Sequence, residues 1–206
     1  MNEEEYDSSV NEYQEEYLSN NYLKQTKWDM AFGLQKVDNL KPSNYLKELA
    51  NENINGDLTI DEVKQELKNY YNDMSIIKKD TFKEKECDFV STRIVELLNE
   101  NSFELSVDYI KYIHKYLFQD IYDFAGEFRN INFSKHEKIL NNDSALYGDY
   151  KTLNSSLEYD ISLEKEKEYN KMSIKDIINS ITNFSSNIWQ VHPFKEGNTR
   201  TTAVFI

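Results

Sequence analysis

The sequence predicts a mainly α-helical protein carrying one short β-hairpin. Only five Gly and two Pro interrupt its 206 residues, so helix breakers are scarce. Apolar residues recur along most of the chain at the 3.6-residue spacing of helices with one buried face. One stretch, FRNINFSKHEKIL at 128–140, instead alternates with period 2 through Ile131, Asn132, Phe133 and Ser134, as a strand or hairpin does.

The chain begins with an acidic arm over 1–21, MNEEEYDSSVNEYQEEY and the residues after it. Its clustered carboxylates repel one another, which fits a solvated arm or an interaction tail. A compact three-helix unit is expected over 22–73. Trp28, Met30, Ala31, Leu34 and Val37 recur at helical spacing, and Pro42 suits the first turn of a second helix through Tyr45, Leu46 and Leu49. Asn55-Gly56-Asp57 reads as a turn, and Thr59 with Glu62 forms the capping pattern that opens a third helix through Val63, Leu67 and Tyr70.

A second body is expected over 80–206, starting near Thr81. It begins with a helix through Phe89, Ile94 and Leu97 and another through Val107, Ile110, Ile113 and Leu117. After the alternating stretch, further helices are expected near 144–163 and 173–189. In the latter, Ser173 with Asp176 offers a cap, and Ile174, Ile177, Ile178, Ile181, Phe184 and Ile188 share one face. The mixed charges of LEKEKEYNK at 163–171 read as a solvated connector.

Composition excludes several functions. With 39% apolar content, including 11 Phe and 15 Tyr, the chain can bury an ordinary globular core. A net charge of −13 leaves no basic excess for a nucleic-acid backbone, so no nucleic-acid partner is expected. No apolar run reaches the roughly 18 residues of a membrane span, the start lacks a signal-peptide pattern, and the single Cys87 cannot form an internal disulfide. A cytoplasmic protein is expected.

The chemistry concentrates in His192-Pro193-Phe194-Lys195-Glu196-Gly197-Asn198-Thr199-Arg200, between a long apolar helix and a second apolar run. Gly197 can take the positive φ of a concave turn, so that the amides of Gly197, Asn198 and Thr199 converge on an anion at a helix N-terminus. Arg200 adds a fixed positive fork for phosphate oxygens, and Glu196 offers an oxygen ligand for Mg²⁺. His192 has the titration range of a general base. Singly, each residue is an ordinary surface or turn residue. Together, a base, an aromatic anchor, a carboxylate, a Gly-Asn turn and an arginine read as a phosphate-handling active site.

The run is similar to the Fic signature HxFx(D/E)GN(G/K)RxxR, and IHKYLFQDIYDFAGEFRNINFSK upstream resembles the Fic segment that precedes and forms the active-site flap. This resemblance implies a Fic-fold helical bundle in which His192 deprotonates a target hydroxyl, Phe194 anchors the loop and Glu196 binds Mg²⁺. Lys195, Gly197, Asn198, Thr199 and Arg200 would hold ATP, and AMP would pass to a Tyr, Ser or Thr of another protein or of the chain itself. Ile131, Asn132, Phe133 and Ser134 would form a flap edge on which the target docks as an added strand, unless they are a plain surface hairpin. Thr199 stands where Gly or Lys is usual, and Ala203 where the family has a second arginine for the γ-phosphate. Fic proteins continue past the position of Ile206, so the apolar run there is expected to extend as helix.

AFGLQKVDNLKPSNYLKELANENINGDLTIDEVKQEL resembles the small antitoxin domain (VbhA type) that pairs with Fic toxins, whose inhibitory helix carries S/T-x-x-x-E-G/N. Leu34 stands at the Ser/Thr position, Asp38 at the glutamate and Asn39 at the last position. Asp38 and Asn39 are therefore the inhibitory candidates. With Ala203 uncharged, the family's glutamate–arginine pair has no counterpart here, and a packing unit without regulatory effect stands beside inhibition. Two further readings remain for the whole chain: an idle Fic-fold interaction module, and a Fic enzyme that transfers phosphate or another nucleotide.

Overall fold

The computed structural model describes residues 20–73, 79–136 and 144–206. The chain divides into two compact units, Met1–Asn99 and Glu100–Ile206. Helix dominates both, as the scarcity of breakers predicts, and among the described residues no helix is long and apolar enough to cross a membrane.

In the first unit, helix α1 spans 20–35 and buries Trp28, Ala31 and Gln35, a stripe at i, i+3 and i+7. Met30 and Val37, expected on that stripe, are exposed because Met30 projects from the opposite side and Val37 lies in the 3₁₀ turn Lys36–Asp38 beyond the helix. The Trp28 indole donates to Asn53 Oδ1 at 3.0 Å, tying α1 to α2, Asn44–Asn55. Ser43 caps α2 by accepting from the Leu46 amide at 2.9 Å, so Pro42 precedes the cap instead of occupying the first turn. Gly56 ends α2 at φ 87°. Helix α3, Ile60–Asp73, opens on the expected capping box. The Thr59 amide donates to Glu62 Oε2 at 2.7 Å, and the Glu62 amide donates back to Thr59 Oγ1 at 3.3 Å.

Helix α4, Lys79–Leu97, was expected to open the second body, yet it packs on α3 within the first unit. A polar network explains why. The buried Asp88 carboxylate of α4 accepts from the Ser43 amide at 2.9 Å, Ser43 Oγ at 2.5 Å and Tyr71 Oη at 2.7 Å. Burial pushes this carboxyl up, and the three donors pull it back.

The second unit starts with α5, Val107–Phe118, capped by Ser106 and buried through Ile110, Ile113, His114, Leu117 and Phe118. Strand β1, Ser134–His136, pairs antiparallel with β2, Ser144–Leu146, with Ser134 opposite Leu146. Of the four expected flap residues only Ser134 lies in a strand; Ile131, Asn132 and Phe133 lead into it, and 137–140 fall outside the described residues. Residues 144–146, expected to be helical, are strand, and the helix starts later as α6, Leu153–Lys165. Pairing with β1 outweighs local propensity there.

The 163–171 connector is also less solvated than its charge pattern suggests. Glu164 is buried and accepts from Lys167 Nζ at 2.6 Å and from the Tyr169 hydroxyl, while Lys167 also donates to Ser180 Oγ at 2.6 Å. Helix α7, Ile174–Val191, carries the expected Ser173 cap, but buries only Phe184, Ile188 and Val191; Ile174, Ile178 and Ile181 are exposed. Helix α8, Asn198–Phe205, packs against α5 and α7, so the 192–197 loop is held between helices on both sides.

Candidate active site

Helix α7 ends at His192, whose backbone is left-handed at φ 50° and ψ 61°. A non-glycine residue there costs about 1–2 kcal/mol and needs support from its surroundings. Arg129 supplies it. Its Nε donates to the His192 carbonyl at 2.8 Å, Nη2 to the Val191 carbonyl at 3.3 Å and to the Gly148 carbonyl, and its backbone amide to the Pro193 carbonyl at 2.8 Å. The Val191 carbonyl of α7 and that of its cap His192 are thereby satisfied by one buried guanidinium. Nη1 reaches the Ile131 carbonyl at 2.8 Å and Asn132 Oδ1 at 3.3 Å, so the same side chain fixes the approach to the hairpin.

The His192 imidazole is buried in an aromatic frame. It stacks on Tyr147, centroids 3.8 Å apart at 15°, and meets Phe133 and Trp189 edge-on at 5.8 Å each. Trp189 Nε1 donates to Thr199 Oγ1 at 3.1 Å, which joins the end of α7 to the start of α8. Thr199 thus accepts a hydrogen bond that the side chain of neither Gly nor Lys could accept.

Phe194 anchors the loop between His114, 3.7 Å away and nearly parallel, and the edge of Phe128 at 5.3 Å. The Asn198 side chain closes the turn on itself: its Oδ1 accepts from the Phe194 amide and its Nδ2 donates to the Phe194 carbonyl, both at 2.8 Å. What Asn198 can offer a phosphate is its backbone N–H. Gly197 adopts φ 77°, and a Cβ there would lie 2.6 Å from two carbons of the Phe118 ring. The first helical bond of α8 runs from the Thr201 amide to the Gly197 carbonyl, so the amides of Asn198, Thr199 and Arg200 stand at the N-terminal end of the helix, before that bond, where helices can take an anion.

Arg200 lies buried over the Phe118 ring at 4.7 Å, with Nη2 3.4 Å from the Tyr122 hydroxyl. Lys195 is exposed, with Nζ 5.1 Å above Phe124. The Glu196 side chain is exposed while its carbonyl oxygen is held 3.0 Å from His114 Nε2. Among the described residues no group of three or more His, Cys, Asp or Glu gathers as a metal site. The exposed Glu196 carboxylate close to the start of α8 fits Mg²⁺, which is usually held by one or two carboxylates, waters and substrate phosphates.

The structure places His192 and residues 194–197 in one loop and 198–200 in the first turn of α8, with Phe133 against His192 and Ile131 and Asn132 joined to it through Arg129. Ser134 sits in the hairpin, while Ala203 is exposed on α8. Asp38 and Asn39 belong to the first unit, where Asp38 ends the 3₁₀ turn and Asn39 follows it at φ 56°.

Three supporting residues are absent from the sequence reading. His114 was legible in principle, since it falls on the buried face of α5 with Ile110, Ile113 and Leu117. Its Nδ1 accepts from the Gly126 amide at 2.8 Å, which puts the proton on Nε2 for the Glu196 carbonyl. Burial chiefly, and Arg200 in addition, hold its pKa down at about 4, against the opposing bond to Glu196, so it braces the loop as a neutral ring. Arg129 and Tyr147 carry no local signal, because their partners lie far along the chain.

Residues 104–206 match the Fic/DOC family. Over 106 residues the chain is 27% identical to the protein adenylyltransferase VbhT of Bartonella schoenbuchensis, a stretch that is 51% of this chain and 21% of that protein. The chain thus aligns with about a fifth of the curated relative. In fold it is similar to the crystal structures of two N-terminal Fic domains, one of a Bartonella effector protein (Bep) from Bartonella sp. AR 15-3 and one of Bep8 from Bartonella sp. 1-1C. Their TM-scores are 0.51 and 0.50 at 19% identity, over 65% of this chain and 64% and 66% of those chains.

Proposed function

The chain belongs to the Fic/DOC family, and on that premise we propose that it is a cytoplasmic protein adenylyltransferase that moves AMP from Mg²⁺-bound ATP to a Tyr, Ser or Thr hydroxyl of a target protein or of itself. The observation that carries this reading is the junction of α7 and α8, where His192 closes one helix and the Asn198, Thr199 and Arg200 amides open the next beside a buried guanidinium.

In this mechanism His192 takes the proton of the target hydroxyl, whose oxygen attacks the α-phosphorus in line. The bond to pyrophosphate breaks and pyrophosphate leaves. The α8 amides and Arg200 hold phosphate oxygens and stabilise charge that develops on them, in a site positioned before the reaction. Glu196 would hold Mg²⁺, which neutralises neighbouring phosphates. The 131–134 segment would present the target as an added strand.

The first unit is read as antitoxin-like, with Asp38 and Asn39 as its inhibitory candidates. Ala203 favours a second reading, a Fic-fold interaction module with little or no transfer activity, because the position expected to hold the γ-phosphate is an exposed methyl group.

Incubation of the purified chain with Mg²⁺, ATP labelled at the α-phosphate and a cell lysate tests the proposal, with mass spectrometry of the product. Added AMP on a hydroxyl is expected. Added phosphate or another nucleotide would redirect the reading, and the absence of any modified protein would leave the interaction module.

A further inference from the structure

The groove beside the hairpin lies outside the loop just described. It has a volume of about 720 Å³ and runs between Leu146-Tyr147-Gly148, helix α6 and the C-terminal part of α7. It shares a wall with the reacting centre: Tyr147 lines the groove and stacks on the His192 ring, and Val191, another lining residue, directly precedes His192. The Gly148 amide donates to the Gln190 carbonyl at 3.4 Å, which closes the hairpin end of the groove.

The lining is hydroxylic and amidic, with Thr152, Ser155, Tyr159, Asn187 and Gln190 among its residues. Among the described residues that line it there is one carboxylate, Asp160, and no cationic side chain. Burial pushes the Asp160 carboxyl up, and its hydrogen bond from Asn187 Nδ2, at 3.4 Å, opposes this only in part. A partly desolvated carboxylate with one long hydrogen bond is under-compensated, and an arriving guanidinium or ammonium would supply both charge and donors. The neighbouring hydroxyls and amides would accept the donors that the carboxylate leaves over.

We propose that this groove is a specificity subsite that takes a basic side chain, Arg in preference to Lys, from the target segment next to the hydroxyl that faces His192. The proposal rests on the adenylyl-transfer reading for its context and names the class of target sequence. Arg is favoured because its planar fork can engage Asp160 in two bonds and still reach the flanking oxygens.

Short fluorescein-labelled peptides test it, each with a central tyrosine in a neutral sequence and a single Arg, Glu or Ala moved through the flanking positions. Their affinity for the full chain is read by anisotropy. In one register Arg should bind tighter than Ala by about fivefold or more, the upper end of what an exposed ion pair gives. Asp160→Asn should bring the two peptides level, and Asp160→Arg should favour Glu, with circular dichroism confirming that both variants fold. Equal binding in every register, or an arginine preference that survives in Asp160→Asn, overturns the proposal. Labelling from ATP scores the underlying reaction separately. A preference that depends on Asp160 without any AMP transfer counts against adenylyl transfer and leaves the subsite standing, whereas transfer without an arginine preference overturns the subsite alone.

Discussion

The imidazole of His114 and the ring of Phe194 lie face to face, centroids 3.7 Å apart and 11° from parallel. The stack joins the buried face of α5 to the anchor of the 192–197 loop, and His114 Nε2 holds the Glu196 carbonyl two residues further on. Loop geometry therefore depends on His114 staying neutral.

Acid should loosen the second unit through this residue. Its pKa is lowered from 6.5 to about 4, so the unfolded chain takes up the proton first. The stabilisation is fully present above about pH 6.5 and is lost as pH falls through about 4, with an upper size of about 3 kcal/mol. Urea unfolding at pH 7.5 and pH 4.5 should show a larger acid loss for the wild type than for His114→Gln. Equal losses would show that His114 titrates normally.

In the proposed mechanism, removing His192 should stop the reaction without emptying the site. His192→Ala is expected to lower the initial rate of AMP transfer by roughly 10²- to 10⁴-fold, the contribution of a positioned base. ATP affinity by calorimetry should change little, since the α8 amides and Arg200 remain. Transfer at the wild-type rate would assign the base to another residue.

Two glycines with similar backbones separate strain from collision. Gly56 at φ 87° has nothing within 4 Å of an added Cβ, whereas Gly197 at φ 77° would meet the Phe118 ring at 2.6 Å. Gly56→Ala should cost about 1 kcal/mol for the left-handed backbone alone, and Gly197→Ala more than about 2 kcal/mol because the ring must also move. Thermal unfolding of both variants checks the order. A Gly197→Ala chain as stable as Gly56→Ala would mean that Phe118 yields freely.

Release from the first unit should be modest. Asp38 is exposed, and position 203 is alanine where the resembled family has an arginine. A solvated carboxylate acting on bound phosphates is normally worth about 1 kcal/mol or less. Asp38→Ala should therefore change the initial rate of AMP incorporation by less than about tenfold, the factor given by roughly 1.4 kcal/mol. A rise of about a hundredfold would reveal a strong inhibitory contact through Asp38.

What could be read from the chain alone was whatever depends on neighbours a few residues apart. The Thr59–Glu62 capping box, the Ser173 cap on α7 and the positive φ of Gly197 each arise within a span of about one helical turn, where residue type and backbone geometry are directly coupled. The candidate segment from His192 to Arg200 stood out for the same reason, because its histidine, aromatic anchor, carboxylate and Gly-Asn turn are contiguous. The Arg129 clamp on His192 spans 63 residues, the His114 bond to Glu196 spans 82, and the Asp88 network that keeps α4 in the first unit spans 45. Residues 144–146 became strand, and the first half of the α7 stripe stayed exposed, through the presence or absence of a distant partner. Tertiary structure alone decided these features, because pairing and burial depend on which surfaces the folded chain brings together, and local sequence carries no record of the partner.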